Sequence, residues 1–160
     1  MTEWLDDSQQ RDWRSFIEGA IRLIDHLDQG LRASHAVSLA EYEILVRLSE
    51  APQQRMRMAE LAAVSYYSRS RLSHSISRLQ ARALVARGEA SDDKRGVVAL
   101  LTEQGMAAIT AAAPDNLKLV RDVFIDAIDP ADLQAIGRAM RAMIAQLPPP
   151  TRRAFLAAQR

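Results

Sequence analysis

The sequence predicts a mainly α fold carrying one small β-hairpin. Three observations carry that expectation. Apolar residues recur at three- and four-residue steps through most of the chain. Between residues 84 and 102 that period gives way to two short strand-like runs around a polar turn. The helical stretches are bounded by Ser, Thr, Asp and Pro in capping positions. At 160 residues, 48% hydrophobic and 26% charged, the chain has the composition of one folded domain with a real core.

The elements follow in order. Trp13, Phe16, Ile17, Ala20, Ile21, Ile24, Leu27 and Leu31 keep helical spacing, so a long first helix spans about residues 11–34. "SLAEYEILVRLSEAP" is a second helix: Ser38 is the N-cap, Glu41 completes a capping box three residues on, and Pro52 closes the run. "RMAELAAVS" is a short helix with Met58, Leu61 and Ala62 turned inward, and Ser68 caps the next. "LVARGEA" and "GVVALLT" are the strands of the hairpin, with "SDDKR" at its tip. Thr102 and Glu103 open a further helix to about Ile128, with a kink or break expected at Pro114. Asp129 and Pro130 start the last helix, whose stripe is Leu133, Ile136, Met140, Met143, Ile144 and Leu147, and "PPP" ends it.

Composition excludes several classes of function. The chain has no cysteine, which removes disulfides, thiol chemistry and cysteine zinc sites. No apolar run approaches the length of a membrane span and the acidic start is unlike a secretory signal, so the expected location is the cytoplasm, with no membrane partner. No Gly-rich phosphate loop, H-E-x-x-H or nucleophile with its base is present; an enzyme is not expected, nor is a cofactor. His26 and His35 stand nine residues apart, which does not put two ligands on one helix face, so no metal is expected.

Charge is divided unevenly. Residues 1–54 hold five basic and ten acidic side chains, residues 55–88 seven and one, and residues 89–160 nine and nine. The middle block therefore carries a concentrated positive charge, the footprint of a polyanion partner. Within it stands "SRSRLSHSISR", five serines and three arginines in an otherwise helical pattern with Leu72, Ile76 and Leu79 as its stripe. Serine costs a helix about 0.5 kcal/mol relative to alanine, so something other than helix stability selects it. Helix, helix, short helix, turn, polar helix, hairpin is the order of a winged helix-turn-helix. A recognition helix entering a major groove about 12 Å wide needs small side chains for close approach and a few long cations. Ser70, Ser73, His74 and Ser77 fit the groove floor. Arg69, Arg71 and Arg78 fit guanine edges or phosphates, and Lys94 and Arg95 at the hairpin tip fit the adjacent minor groove or backbone.

Residues 57–105, "RMAELAAVSYYSRSRLSHSISRLQARALVARGEASDDKRGVVALLTEQG", resemble the DNA-binding core of the MarR family of bacterial transcription regulators. The most specific part is "DKRGVVALLTEQG", similar to that family's D-x-R wing followed by L-T-x-x-G. The resemblance implies a homodimer, with residues 1–37 and 103–160 as the helical dimerisation domain and residues 38–102 as the winged helix-turn-helix. It implies that residues 68–78, beginning at Ser68, are the recognition helix on double-stranded DNA, that Asp93 orients Arg95, and that the protein is a repressor. A small-molecule effector is implied too, in a crevice where Trp13, His35, Tyr42 and Met106 are available. Two departures stand out: Ala83 occupies a position where the family has Gly, and "SYY" is unusually aromatic for the turn. A winged-helix module that binds an acidic protein is the alternative reading of the basic face.

Overall fold

A computed structural model describes residues 3–65, 69–89 and 97–147. Helix α1 is Asp7–His35 and α2 is Leu39–Glu50; a 3-10 turn, Pro52–Gln54, leads into strand β1, Arg55–Arg57. Helices α3, Met58–Val64, and α4, Arg69–Ala81, precede the hairpin strands β2, Val85–Glu89, and β3, Val97–Leu101. Helix α5, Glu103–Val120, continues through a π turn at Arg121–Ile125, and α6 is Pro130–Gln146.

The caps of α2, α5 and α6 act as the sequence predicts. Asp129 accepts a hydrogen bond from the Ala131 N–H, with Pro130 in the first turn of α6. Ser38 and Glu41 close both halves of a capping box on α2. Helix α1 starts earlier than its apolar stripe, at a second capping box between Asp6 and Gln9. At Pro114 the expected break is absent: α5 runs through it. Proline removes one backbone hydrogen bond, and the packing of α5 on α1 and α2 holds the helix together across the gap. That packing is close, since a Cβ on Gly30 of α1 would lie 2.4 Å from Leu119 Cδ1.

The sheet has the order β1-β3-β2, antiparallel throughout, with Arg57 opposite Val98 and Val85 opposite Leu101. The hairpin therefore gains a third strand that the sequence reading did not include. Being central, β3 buries Val98, Ala99 and Leu101, which is why it reads as a nearly unbroken apolar run. The core gathers Ile44, Leu45 and Leu48 of α2, Leu61 of α3, Leu72, Ile76 and Leu79 of α4, the sheet, Leu31 of α1, and Ile109 and Ala112 of α5. It thus lies in the winged unit. Helix α6 buries none of its residues.

The exit of α4 is fixed by a Schellman motif: Leu84 N–H donates to Leu79 O (2.9 Å) and Ala83 N–H to Gln80 O (3.0 Å). Ala83 sits at its left-handed position with φ 55°. Thr102 then ties the motif to the next helix, its hydroxyl donating to Ala83 O (2.7 Å) and accepting from Gly105 N–H (2.9 Å). The "LTEQG" string is thereby explained, because a Cβ on residue 105 would stand 2.1 Å from Leu84 O.

Candidate nucleic-acid interface

Helix α4 divides cleanly. Leu72 (1% exposed), Ile76 (0%) and Leu79 (0%) face the core, and Ser75 is buried beside them. Ser70, Arg71, Ser73, His74, Ser77 and Arg78 are all exposed. The serine that the groove-facing set leaves out is the one the core takes. The backbone of Arg69 opens the helix; its side chain, and Ser68, Asp93, Lys94 and Arg95, lie outside what the structure describes.

Two arginines on this helix have partners on neighbouring elements. Arg78 donates through Nε to Glu41 Oε1 at 2.8 Å; its side chain is 60% exposed while that of Glu41 is 5% exposed. Burial pushes the Glu41 carboxyl up. The Ser38 N–H, the Arg78 guanidinium and the Ser38 hydroxyl outweigh it and hold the group below the usual carboxylate range. Just past the helix, Arg82 donates to Ala36 O (2.7 Å), the carbonyl of the left-handed residue that ends α1. The α1–α2 corner is itself fastened by Asp28, which accepts from the Leu39 N–H (2.8 Å) and pairs with Arg32.

Arg87 of β2 donates to Ser77 Oγ at 3.1 Å, and Ser77 in turn donates to Ser73 O. A cation from the wing strand thus stands on the exposed face of α4. Sequence reasoning counted Arg87 in the basic block but did not assign it there; its place opposite the serines depends on how β2 packs against α4. A cleft of about 700 Å³ opens between α1, the start of α2 and α4, with Asp25, Asp28, Arg32, Arg71, His74 and Arg78 on its walls.

The residues read as an effector crevice are only partly brought together. His35 Nε2 lies 2.8 Å from Asp115 Oδ2 of α5. Burial pushes the Tyr42 phenol up, opposed only in part by the nearby Asn116 amide. Met106, on α5, packs on the core. Trp13 is 53% exposed, pairs with Phe16, and stands roughly 33 Å further along α1 at 1.5 Å per residue. Among the described residues no group of His, Cys, Asp and Glu is arranged to hold a metal ion, and no helix is long and apolar enough to cross a membrane.

A sequence profile of the MarR family matches residues 37–96, from the end of α1 to the wing. No curated protein sequence matches the chain. Among solved structures, the chain is similar to Sco3205, a MarR family transcriptional regulator from Streptomyces coelicolor solved in complex with DNA. The two share 38% identity over 93% of each chain, with a TM-score of 0.89. AbsC, a MarR family regulator from the same organism, is 38% identical over 90% of this chain and 97% of its own, with a TM-score of 0.85. BpsR of Bordetella bronchiseptica, whose DNA binding is regulated by 6-hydroxynicotinic acid, shares the fold at 21% identity over 91% of this chain and 100% of its own, with a TM-score of 0.76. With the winged unit, its capped helices and the flanking helices all matched along nearly the whole of a 38% identical relative, this chain belongs to the MarR family of transcriptional regulators.

Proposed function

We propose that the chain acts as a homodimeric repressor whose paired α4 helices enter successive major grooves of a pseudo-palindromic operator, and that a small molecule releases it. The observation that carries the reading is the α4 face. Serines and one histidine leave room for the backbone to approach base edges, while Arg71, Arg78 and the wing-strand Arg87 stand among them as cations. DNA binding by Sco3205 supports it. Ser68, Arg69 and the wing residues Lys94 and Arg95, with Asp93 orienting Arg95, complete the proposed contact set. DNA places this work in the cytoplasm.

In this reading residues 38–102 bind DNA, and residues 1–37 and 103–160 join two subunits. Ile21 and Ile24 of α1, Leu117 of α5 and Ile144 of α6 are each more than half exposed, and a second copy is the natural cover for apolar surface of that extent. An effector acts by favouring one spacing of the two α4 helices. His35, Tyr42 and Met106, at the junction of α1, α2 and α5, are the proposed handles for it, with Trp13 further out.

Salt separates this reading from a module for acidic proteins. Duplex selected by the protein from a random-sequence pool is expected to bind about 1,000-fold or more tightly than unselected duplex. Log affinity is expected to fall linearly with log salt. No preference among duplexes, with tight binding to an acidic protein instead, would replace it with the alternative.

A further inference from the structure

We propose that Glu41 is a positioning residue for DNA recognition, gripping the Arg78 guanidinium by its Nε edge so that the other N–H groups are presented to a backbone phosphate. The inference rests on the DNA-binding reading above. It begins from an oddity of charge. Glu41 is 4% exposed and lies directly beneath the cationic face of α4, where a carboxylate weakens attraction for a polyanion. A capping box on α2 does not require that charge, because glutamine closes such a box equally well.

The two carboxylate oxygens divide their work. Oε2 accepts from the Ser38 N–H (2.9 Å) and hydroxyl (3.1 Å), which fixes the carboxylate to the first turn of α2. Oε1 is thereby aimed at α4, where it takes Arg78 Nε at 2.8 Å. Among the described residues Arg78 bonds no other acceptor and its side chain is 60% exposed, so its two terminal nitrogens remain available to a ligand on the helix face that carries His74 and Arg71. A guanidinium held on one edge has lost most of its rotamer freedom before it meets a phosphate, and its fork can serve two oxyanions at once, which an ammonium cannot do in this geometry. Arg82, bonded to Ala36 O one turn later, ties the same end of α4 to the end of α1, just ahead of α2.

Charge alone and positioning predict opposite signs, which makes the test direct. Fluorescence anisotropy would follow a labelled duplex, selected by the wild-type protein from a random-sequence pool, binding to wild type, Glu41→Gln, Arg78→Gln and the double variant over a salt series. Melting and sedimentation establish that each is folded and of wild-type size. Simple Coulomb attraction predicts that Glu41→Gln tightens binding. Positioning predicts that it weakens binding about three- to tenfold, the scale of one well-placed charged contact. Arg78→Gln is expected to weaken it at least as much and to reduce the salt slope by about 1. The double variant is expected to match Arg78→Gln, since Glu41 acts only through that side chain. Wild-type or tighter binding by folded Glu41→Gln, or additive losses in the double variant, overturns the proposal. Should Glu41→Gln not fold, Arg78→Lys carries the test: it keeps the charge and is expected to bind several-fold more weakly, and unchanged affinity overturns the proposal. Failure of wild type to bind any duplex would instead refute the DNA-binding reading itself.

Discussion

Ala83 occupies a backbone conformation that suits glycine better than alanine. At φ 55° it closes the Schellman motif of α4, and a left-handed L-residue is penalised by about 1–2 kcal/mol, part of which glycine returns through greater unfolded-state freedom. Ala83→Gly is therefore expected to raise stability by about 0.5–1 kcal/mol in urea melts; a loss would mean that the Ala83 methyl packs usefully. Gly105 is the converse. Its Cβ position is filled by the Leu84 carbonyl, and the obstacle is backbone rather than a movable side chain. Gly105→Ala is expected to cost about 1–3 kcal/mol, with a lowered melting temperature as the readout. The sequence pointed to both positions through the family pattern. It could not point to Gln53 and Gln54, both with positive φ, because neither residue type marks a left-handed turn.

Among the elements, those whose boundaries are written in local chemistry were legible. Ser38 with Glu41 announced α2, and Asp129 with Pro130 announced α6, because caps act within four residues of chain. Strand β1 was missed: "RMR" is too short to display a two-residue period, and only its pairing with β3 makes it a strand. The exposed set on α4 followed from the Leu72, Ile76, Leu79 stripe, whereas the Glu41–Arg78 pair joins residues 37 apart in sequence and needed the fold. That pair predicts a pH dependence. Since the folded carboxyl of Glu41 is held below its unfolded value, its contribution is complete above the unfolded value and lost as pH falls through the lower folded one. Asp28 behaves likewise: burial raises its carboxyl, while Arg32 and the Leu39 N–H more than reverse the shift. Glu41→Gln is expected to flatten the acid limb of a melting-temperature profile. An acid limb identical to wild type would assign the loss to other groups. On the wing, Arg95→Ala is expected to weaken operator binding by about 1–3 kcal/mol with folding intact; unchanged affinity in a gel shift would remove the wing from the mechanism.

At the scale of the molecule, the distribution of apolar surface is the governing fact. The winged unit carries most of the core, whereas α1 and α6 keep long apolar stripes that the chain by itself leaves largely uncovered. Truncation after Ala127 removes one of those stripes and is expected to give a monomeric or unstable protein; sedimentation of a well-folded dimer would contradict the assignment of α6 to the subunit interface. The most direct measurement of the central claim is protection of guanine N7 atoms from methylation on the selected duplex, because N7 lies on the floor of the major groove. A symmetric pair of α4 helices predicts two protected clusters about one helical turn apart, roughly 34 Å. A single cluster, or binding that leaves every N7 reactive, would contradict it.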